Sequence, residues 1–203
     1  MSAPTASATL RDVLGLPGTL PRLAESTLIM VDFQNTYRTG VMALEGAQQA
    51  LAAGARLLAA ARAAGAPVVH VVNDGGEGTP YDIRAEIGAI SAEVAPLDGE
   101  PVVVKQAPNA FHATELEKTL RELGAGPDLV IAGFMTHMCI TFTAQGAFNL
   151  GYRPSVVAEA TATRTLTAPD GKPIPAAALQ SASLTTIADL FGTVAPTVAA
   201  LTP

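Results

Sequence analysis

Asp128-Leu-Val-Ile-Ala132, continued by Gly133-Phe-Met-Thr-His-Met-Cys139, reads as a buried strand that turns sharply into a helix. The apolar run shows no alternation, which suits a strand covered on both faces, as in a parallel sheet. The helix is expected from about 139 to 150, with Gly151 as its stop.

The same unit recurs to either side. Upstream, Thr27-Leu-Ile-Met-Val31 closes on Asp32, an Ala/Leu-rich helix spans 46–64, and Gly65 ends it. Pro67-Val-Val-His-Val-Val72 and Pro101-Val-Val-Val-Lys105 are the next strands. A helix follows over 113–123, with Thr114 or a neighbour as cap and Gly124 beyond its end. Between these two strands, 73–99 holds a glycine-rich loop and a short helix near 83–90. Downstream come a strand over 153–158, a Pro/Gly loop over 165–175, a helix over 176–190 and a short final strand at Thr193-Val194. Strands alternating with helices imply βαβ units, right-handed crossovers and a parallel sheet with helices on both faces. No repeat or linker interrupts 25–203, which reads as a single domain. The Ser/Thr/Ala/Pro-rich stretch 1–24, with one short helix around 9–14, reads as an arm on the surface or on a neighbouring subunit.

With 203 residues the chain can bury one sizeable core. Aromatics make up 4% and Trp is absent, so Ala, Val and Leu must fill that core. Charged residues are only 15%, low for a monomer surface. Either Ala, Thr and Gly cover the surface or part of it is buried between subunits; a homo-oligomer, dimer or tetramer, is expected. A net charge of −6 argues against a nucleic-acid partner. The single cysteine cannot form an internal disulfide, residues 1–10 lack a basic-then-apolar leader, and no apolar run is long enough to span a membrane. A cytoplasmic protein is expected.

Polar residues fall repeatedly at strand ends, where open α/β sheets build their sites. Asp32 closes the first strand, Lys105 the third, and Cys139 lies just beyond the fourth. A free thiol has a pKa of about 8.5, and the thiolate is the nucleophile. A helix start favours the anion. Asp32 can take the thiol proton and return it to a leaving amine. Two anions side by side repel, and Lys105 between them removes the conflict. Backbone N–H groups at the turn can hold an oxyanion. The structural alternatives are a buried cysteine as apolar filler, a strand-end Asp as a turn cap and a strand-end Lys in solvent.

Three local sequences together resemble the isochorismatase-like cysteine hydrolases: Asp32-Phe-Gln-Asn-Thr-Tyr37, Lys105 after three valines, and Gly133-Phe-Met-Thr-His-Met-Cys139. The likeness runs from about 26 to 195. It implies a three-layer α-β-α, Rossmann-like fold with a six-stranded, mostly parallel sheet and an Asp32–Lys105–Cys139 triad. It also implies a cis, non-proline peptide between Phe134 and Met135, aiming the N–H groups of Met135 and Cys139 into an oxyanion hole. Gln34, Tyr37, Phe111 and Thr136 are the expected substrate contacts. Gln34 and Asn35 orient either Asp32 or the substrate. Tyr37 and Phe111 either wall the pocket or pack the core. Asn109 either fixes Lys105 or makes an Asx-turn.

Departures from the family pattern narrow the expectation. Nicotinamidases carry a metal site after the second strand. Here that region reads His70-Val-Val-Asn-Asp-Gly-Gly-Glu77, and His70, His112 and His137 are scattered singly. No metal and no cofactor are expected. Isochorismatases proper have Gly in place of the cysteine, so Cys139 argues against their reaction. The expected function is hydrolysis of a C–N, amide-type bond of a small molecule through a thioester. The alternatives are acid–base hydrolysis of a small ether or ester, and a non-enzymatic ligand-binding or redox-responsive module. Pocket walls are expected from 37–45, 73–99 and 165–175, with Glu77, Tyr81 and Arg84 unassigned.

Overall fold

A computed structural model describes residues 6–201. In chain order the regular elements are α1 (Leu10–Val13), β1 (Thr27–Val31), α2 (Ala47–Ala63), β2 (Val68–Asn73), β3 (Val102–Lys105), α3 (Leu116–Glu122), β4 (Asp128–Phe134), α4 (Thr141–Asn149), β5 (Arg153–Ala162), β6 (Leu166–Thr167), β7 (Pro173–Ile174), α5 (Ala176–Thr186) and β8 (Thr193–Ala195). Six strands form one sheet in the order β3-β2-β1-β4-β5-β8. Every pairing in it is parallel. The three-layer α/β architecture expected from the strand–helix rhythm is the one observed.

β1 sits at the centre and is wholly buried. Its residues alternate between layers: Leu28 and Met30 join the cluster under α2, while Ile29 and Val31 join the one under α3 and α4. On the first face Leu51, Leu57 and Leu58 of α2 are fully covered. Each such side chain contributes on the order of 1.5–3 kcal/mol of burial. On the second, Leu116, Leu120, Ala144, Ala147 and Ile187 do the same. Small residues let the layers close: a Cβ at Gly54 of α2 would meet the Phe33 ring at 2.6 Å.

Several boundaries depart from the sequence expectation for local reasons. Residues 83–90 form only a 3-10 turn, Glu86–Gly88. Asp82 takes the backbone N–H of Gly78 and of Arg84, so local side-chain bonds compete with a helix. α3 starts at Leu116 rather than near 113, because Ala113 has φ +53° and Thr114 Oγ1 donates to the Ala110 carbonyl while accepting from Leu116 N–H. A π-helical turn, Thr136–Ile140, precedes α4. β5 runs ten residues, to Ala162, with a register shift against β4 between Ile131 and Gly133. The loop 165–175 contains the β6–β7 hairpin.

The arm folds back on its own chain from α1 onward. Thr9 and Asp12 cap α1 reciprocally, and Leu10 N–H donates to Asp189 Oδ1 at 2.9 Å. The first five residues of the expected arm, 1–5, and the last two of the expected domain, 202–203, lie outside the described residues.

Candidate active site

The chain runs from β1 to β2 to β3 on one side and returns to place β4 on the other. The switch point therefore lies between β1 and β4, where ligand crevices form in open sheets. Asp32 leaves β1 there and Cys139 follows β4. Lys105 reaches in from the end of β3, past Asn73, its register partner on β2.

Asp32 has φ +52°, a left-handed conformation that Asp tolerates better than most residues. Its N–H still donates to the Val71 carbonyl at 2.8 Å, and its own carbonyl accepts from Gln34 N–H at 2.7 Å. The chain thus leaves the strand abruptly. Phe33 is turned under α2, where its ring meets Phe134 edge-on at 4.9 Å. On β4, Gly133 has φ +136°, and a Cβ there would lie 1.8 Å from the Val31 carbonyl oxygen. Only glycine permits β1 and β4 to approach this closely.

Lys105 Nζ lies 2.8 Å from Asp32 Oδ2 and 3.3 Å from Cys139 Sγ. A longer contact of 3.4 Å runs to Asn73 Oδ1. The Asp32 contact is close but poorly angled, for neither carboxylate oxygen receives a well-directed hydrogen bond. Neither side chain of the pair is exposed, and Cys139 is 6% exposed. Burial pushes Asp32 above the ordinary carboxylate range, against the pull of Lys105. Burial alone would lower Lys105, but Asp32 and Cys139 hold it above its usual value. Burial, then the Asp32 charge, push the Cys139 thiol up to about 12. Desolvation and the Asp32 charge thus work against the helix start, which favours the anion.

The arrangement can exchange one proton within a constant charge. With Asp32 ionised, Lys105 protonated and Cys139 neutral, the buried total is zero. Moving the proton from sulfur to carboxylate leaves that total unchanged, so a thiolate can form without creating net charge in a dry site.

The peptide between Phe134 and Met135 is cis, as the likeness implied. Tyr37 is buried near Asp32 and Cys139, its ring edge-on to Phe134 at 5.6 Å and to Tyr81 at 5.8 Å. Burial raises its phenol, as do the nearby charges of Asp32 and Cys139. Tyr81, unassigned from sequence, hydrogen-bonds the Tyr37 phenol and turns inward. Thr136 is fully buried, and its Oγ1 has no hydrogen-bond partner among the described residues.

Other expected residues lie elsewhere. Gln34 donates to the carbonyls of Asn73 and Gly88 and accepts from Asn73 N–H, so its fully buried amide ties loops together with both N–H groups engaged. Asn35 is engaged with Glu86 and Ser91. Phe111 stacks on Tyr152, beyond the far end of α4, at 6.0 Å; it packs the core rather than walling the site. Asn109 makes the Asx-turn, accepting from Phe111 N–H, and sits over Gly146. Arg84 pairs with Asp82 and Asp74, and Glu77 is exposed. His70 meets Glu100 at 3.0 Å, His137 meets Thr163 at 2.5 Å, and His112 is exposed. No group of three or more His, Cys, Asp or Glu placed to hold a metal occurs among the described residues. Asn73 is the neighbour that sequence reasoning missed; its strand-end position was the available signal.

The family model of the isochorismatase domain matches residues 26–198. The chain belongs to the isochorismatase family. A solved isochorismatase from Pseudomonas putida KT2440 superposes with a TM-score of 0.91 at 39% identity, covering 97% of this chain and 100% of that one. An uncharacterised isochorismatase family protein of Bacillus subtilis, YddQ, is 37% identical over 87% of this chain and 98% of its own. The secreted isochorismatase effector Isc1 of Verticillium dahliae is 32% identical over 90% and 94%. The ureidoacrylate amidohydrolase RutB of Variovorax paradoxus is 30% identical over 83% and 77%. The isochorismatase family is one of hydrolases, amidohydrolases among them, and this member is a hydrolase. That sets aside the non-enzymatic alternative.

Proposed function

We propose that this hydrolase cleaves a C–N bond of a small amide through a thioester on Cys139. The observation that carries the reading is Lys105 Nζ held between Asp32 Oδ2, at 2.8 Å, and Cys139 Sγ, at 3.3 Å, away from solvent. RutB supports the bond class through its name.

Cys139 Sγ attacks the carbonyl carbon while its proton passes to Asp32. Lys105 balances the negative charge on whichever of the two carries it. The N–H groups of Met135 and Cys139, with the unpartnered Thr136 hydroxyl beside them, receive the oxyanion. Asp32 then protonates the nitrogen, the C–N bond breaks, and the amine or ammonia leaves. Water attacks the thioester, giving its proton to Asp32; the acid departs and sulfur regains the proton. Tyr37 and Tyr81 wall the pocket.

Replacing Cys139 with Ala should abolish turnover of small primary amides, ureides and N-carbamoyl compounds, and rapid quench of wild type should show an acyl adduct on Cys139 by mass spectrometry. Turnover retained in Cys139→Ala would overturn the thioester, and an ether or ester hydrolysed equally well by wild type and Cys139→Ala would point instead to acid–base hydrolysis by Asp32.

No described helix is long and apolar enough to cross a membrane. The lone unpaired cysteine supports a cytoplasmic location, and a reporter fusion tests it against the secreted habit of Isc1. Val102 and Val104 are 47% and 45% exposed on the edge strand β3, which supports a homo-oligomer measurable by light scattering.

A further inference from the structure

Cys139 is 6% exposed, and the side chains of Asp32 and Lys105 are not exposed at all. A small molecule therefore reaches Sγ only if part of the covering structure moves. Asp32 and Cys139 follow β1 and β4, the central strands, which are held by packed layers on both faces. The moving part must be a loop over the strand ends. Most of these loops are tied to something else. Glu45 N–H donates to the Thr163 carbonyl, and Thr165 N–H and hydroxyl both donate to Glu45 Oε1, which joins 36–45 to 163–167. The loop after β3 is pinned on α4, where Ala110 N–H donates to Thr143 Oγ1 at 3.1 Å.

The segment 75–85, between β2 and β3, instead bonds to itself. Gly75 N–H donates to the Tyr81 carbonyl, Gly76 N–H to Asp74 Oδ1, Gly78 N–H to Asp82 Oδ2, and Arg84 Nε to Asp82 Oδ1. Arg84 Nη2 meets Asp74 Oδ1 at 3.4 Å and draws the neck together. The feet are gripped by the residues that follow Asp32. Gln34 donates to the Asn73 and Gly88 carbonyls, at 3.0 and 2.7 Å, and the Asn35 amide donates to the Glu86 carbonyl at 2.9 Å. This is a compact Ω-loop with neighbouring feet. At its tip Tyr81 turns inward, within electrostatic reach of Cys139 and Asp32. Its phenol hydrogen-bonds that of Tyr37, and the rings meet edge-on at 5.8 Å. Beside that contact the packing is open. A groove of about 280 Å³ separates Thr36, Val41 and Met42 from Gly78, Thr79 and Pro80.

We propose that residues 75–85 form a rigid lid over Cys139, latched by the Tyr81–Tyr37 hydrogen bond, and that substrate enters along the groove between Met42 and Thr79. Internal bonds keep the lid's shape while its feet turn. Gly75 and Gly76, the latter at φ +92°, supply the freely turning backbone at one foot. The latch suits its task because water can replace it on both phenols when the lid opens. The net strength of one such bond shifts the open population about 2- to 12-fold. Gln34 links the movement to chemistry: its N–H donates to the Asp32 carbonyl at 2.7 Å while its side chain holds both feet. The inference deepens the active-site reading and rests on it only in taking Cys139 as the atom substrate must reach; the lid is measured without turnover.

Alkylation of Cys139 by iodoacetamide reads the open fraction. Tyr81→Phe and Tyr37→Phe each keep a ring in place and remove the latch, so each should speed alkylation about 2- to 12-fold. The double variant should gain no more than either single one, because both remove the same bond. Separate effects of the two phenols on thiol acidity would instead multiply. Hydrogen exchange followed by mass spectrometry should show the amides of 75–85 equally protected in wild type and variants, since the lid turns without unfolding. Circular dichroism shows that the variants are folded. Alkylation unchanged in both single variants, gains that multiply in the double variant, or protection lost across 75–85 in step with alkylation each overturns the lid. A shared latch in a protein that turns over no amide upholds the lid and overturns the amidohydrolase reading.

Discussion

Lys105 Nζ and Asp32 Oδ2 meet at 2.8 Å with both side chains withdrawn from water. Cys139 lies on the same ammonium at 3.3 Å. One cation thus serves two groups that compete for a single negative charge. Removing it leaves a buried carboxylate with no counterion. Lys105→Met should abolish turnover and destabilise the fold by about 3–5 kcal/mol in urea unfolding. Adding Asp32→Asn should restore most of the stability but none of the activity. A double variant as unstable as the single one would show that packing around the lysine stem, not charge balance, is what the lysine supplies.

The buried thiol predicts an alkaline weakness. Burial, then the Asp32 charge, push the Cys139 thiol up to about 12 in the folded protein, against a reference of 9.0. A folded-state pKa raised above the unfolded one means that the folded chain holds the proton longer. Stability is unaffected below pH 9.0 and is lost between 9.0 and about 12. The slope approaches 1.4 kcal/mol per pH unit. Lysines and tyrosines titrate in the same range, so the readout is the difference between wild type and Cys139→Ala. That difference should move in favour of the variant as pH rises from 9 to 11. Parallel stability curves would indicate a thiol already ionised in the folded state.

Gly133 should be irreplaceable for a reason unrelated to chemistry. A Cβ there would lie 1.8 Å from the Val31 carbonyl oxygen, and φ is +136°. β1 and β4 are adjacent central strands, so neither can move without disturbing the layers above and below. Gly133→Ala should cost more than about 4 kcal/mol or prevent folding, placing it among the largest single-site effects. A soluble variant with a near-native melting temperature would mean that the two strands can part at the switch point.

Much of this architecture was legible because buried parallel strands advertise themselves: Thr27–Val31 is an apolar run that stops at Asp32, and Leu129 to Met135 is an unbroken one that stops at Thr136. The meeting of Asp32, Lys105 and Cys139 was legible for the same reason, each standing at or just beyond a strand end. Direction was harder. Phe111 reads the same whether it faces a pocket or a core, and only the path of its loop along α4 turns it onto Tyr152. Gln34 looks like a substrate ligand until three backbone partners occupy its amide. A helix start can be read from sequence, whereas desolvation of the thiol depends on everything packed around it.

Asn73 holds Lys105 from the side at 3.4 Å and tops the strand between the lysine and the aspartate. It is a positioning residue and should affect rate more than binding. Asn73→Ala should lower kcat on the order of tenfold with little change in KM, since a misplaced ammonium weakens transition-state charge balance. Asn73→Asp should not rescue the rate, because a second carboxylate would compete for the ammonium. An effect confined to KM would place Asn73 in the substrate pocket instead.

At the opposite end of β2, a second charge cluster governs acid stability. Glu100 takes two bonds from Arg62, at 2.8 and 2.7 Å, one from Leu97 N–H, and faces His70 at 3.0 Å. The Arg62 bonds chiefly hold the carboxyl down, to about 2 from 4.5. A depressed folded-state pKa contributes stability above pH 4.5 that disappears as pH falls toward 2. Solvent reaches Arg62, which is 27% exposed, and screens the interaction. The expected loss for Glu100→Gln at pH 7 is therefore about 1–2 kcal/mol, well below the unscreened ceiling. His70, kept neutral by burial, adds its own loss below its usual pKa, a larger one in Glu100→Gln because the Glu100 charge raises His70 against burial. The two unfolding curves should accordingly converge between pH 4.5 and 2. A gap that persists at pH 2 would mean that the glutamate acts through shape and hydrogen bonding rather than charge.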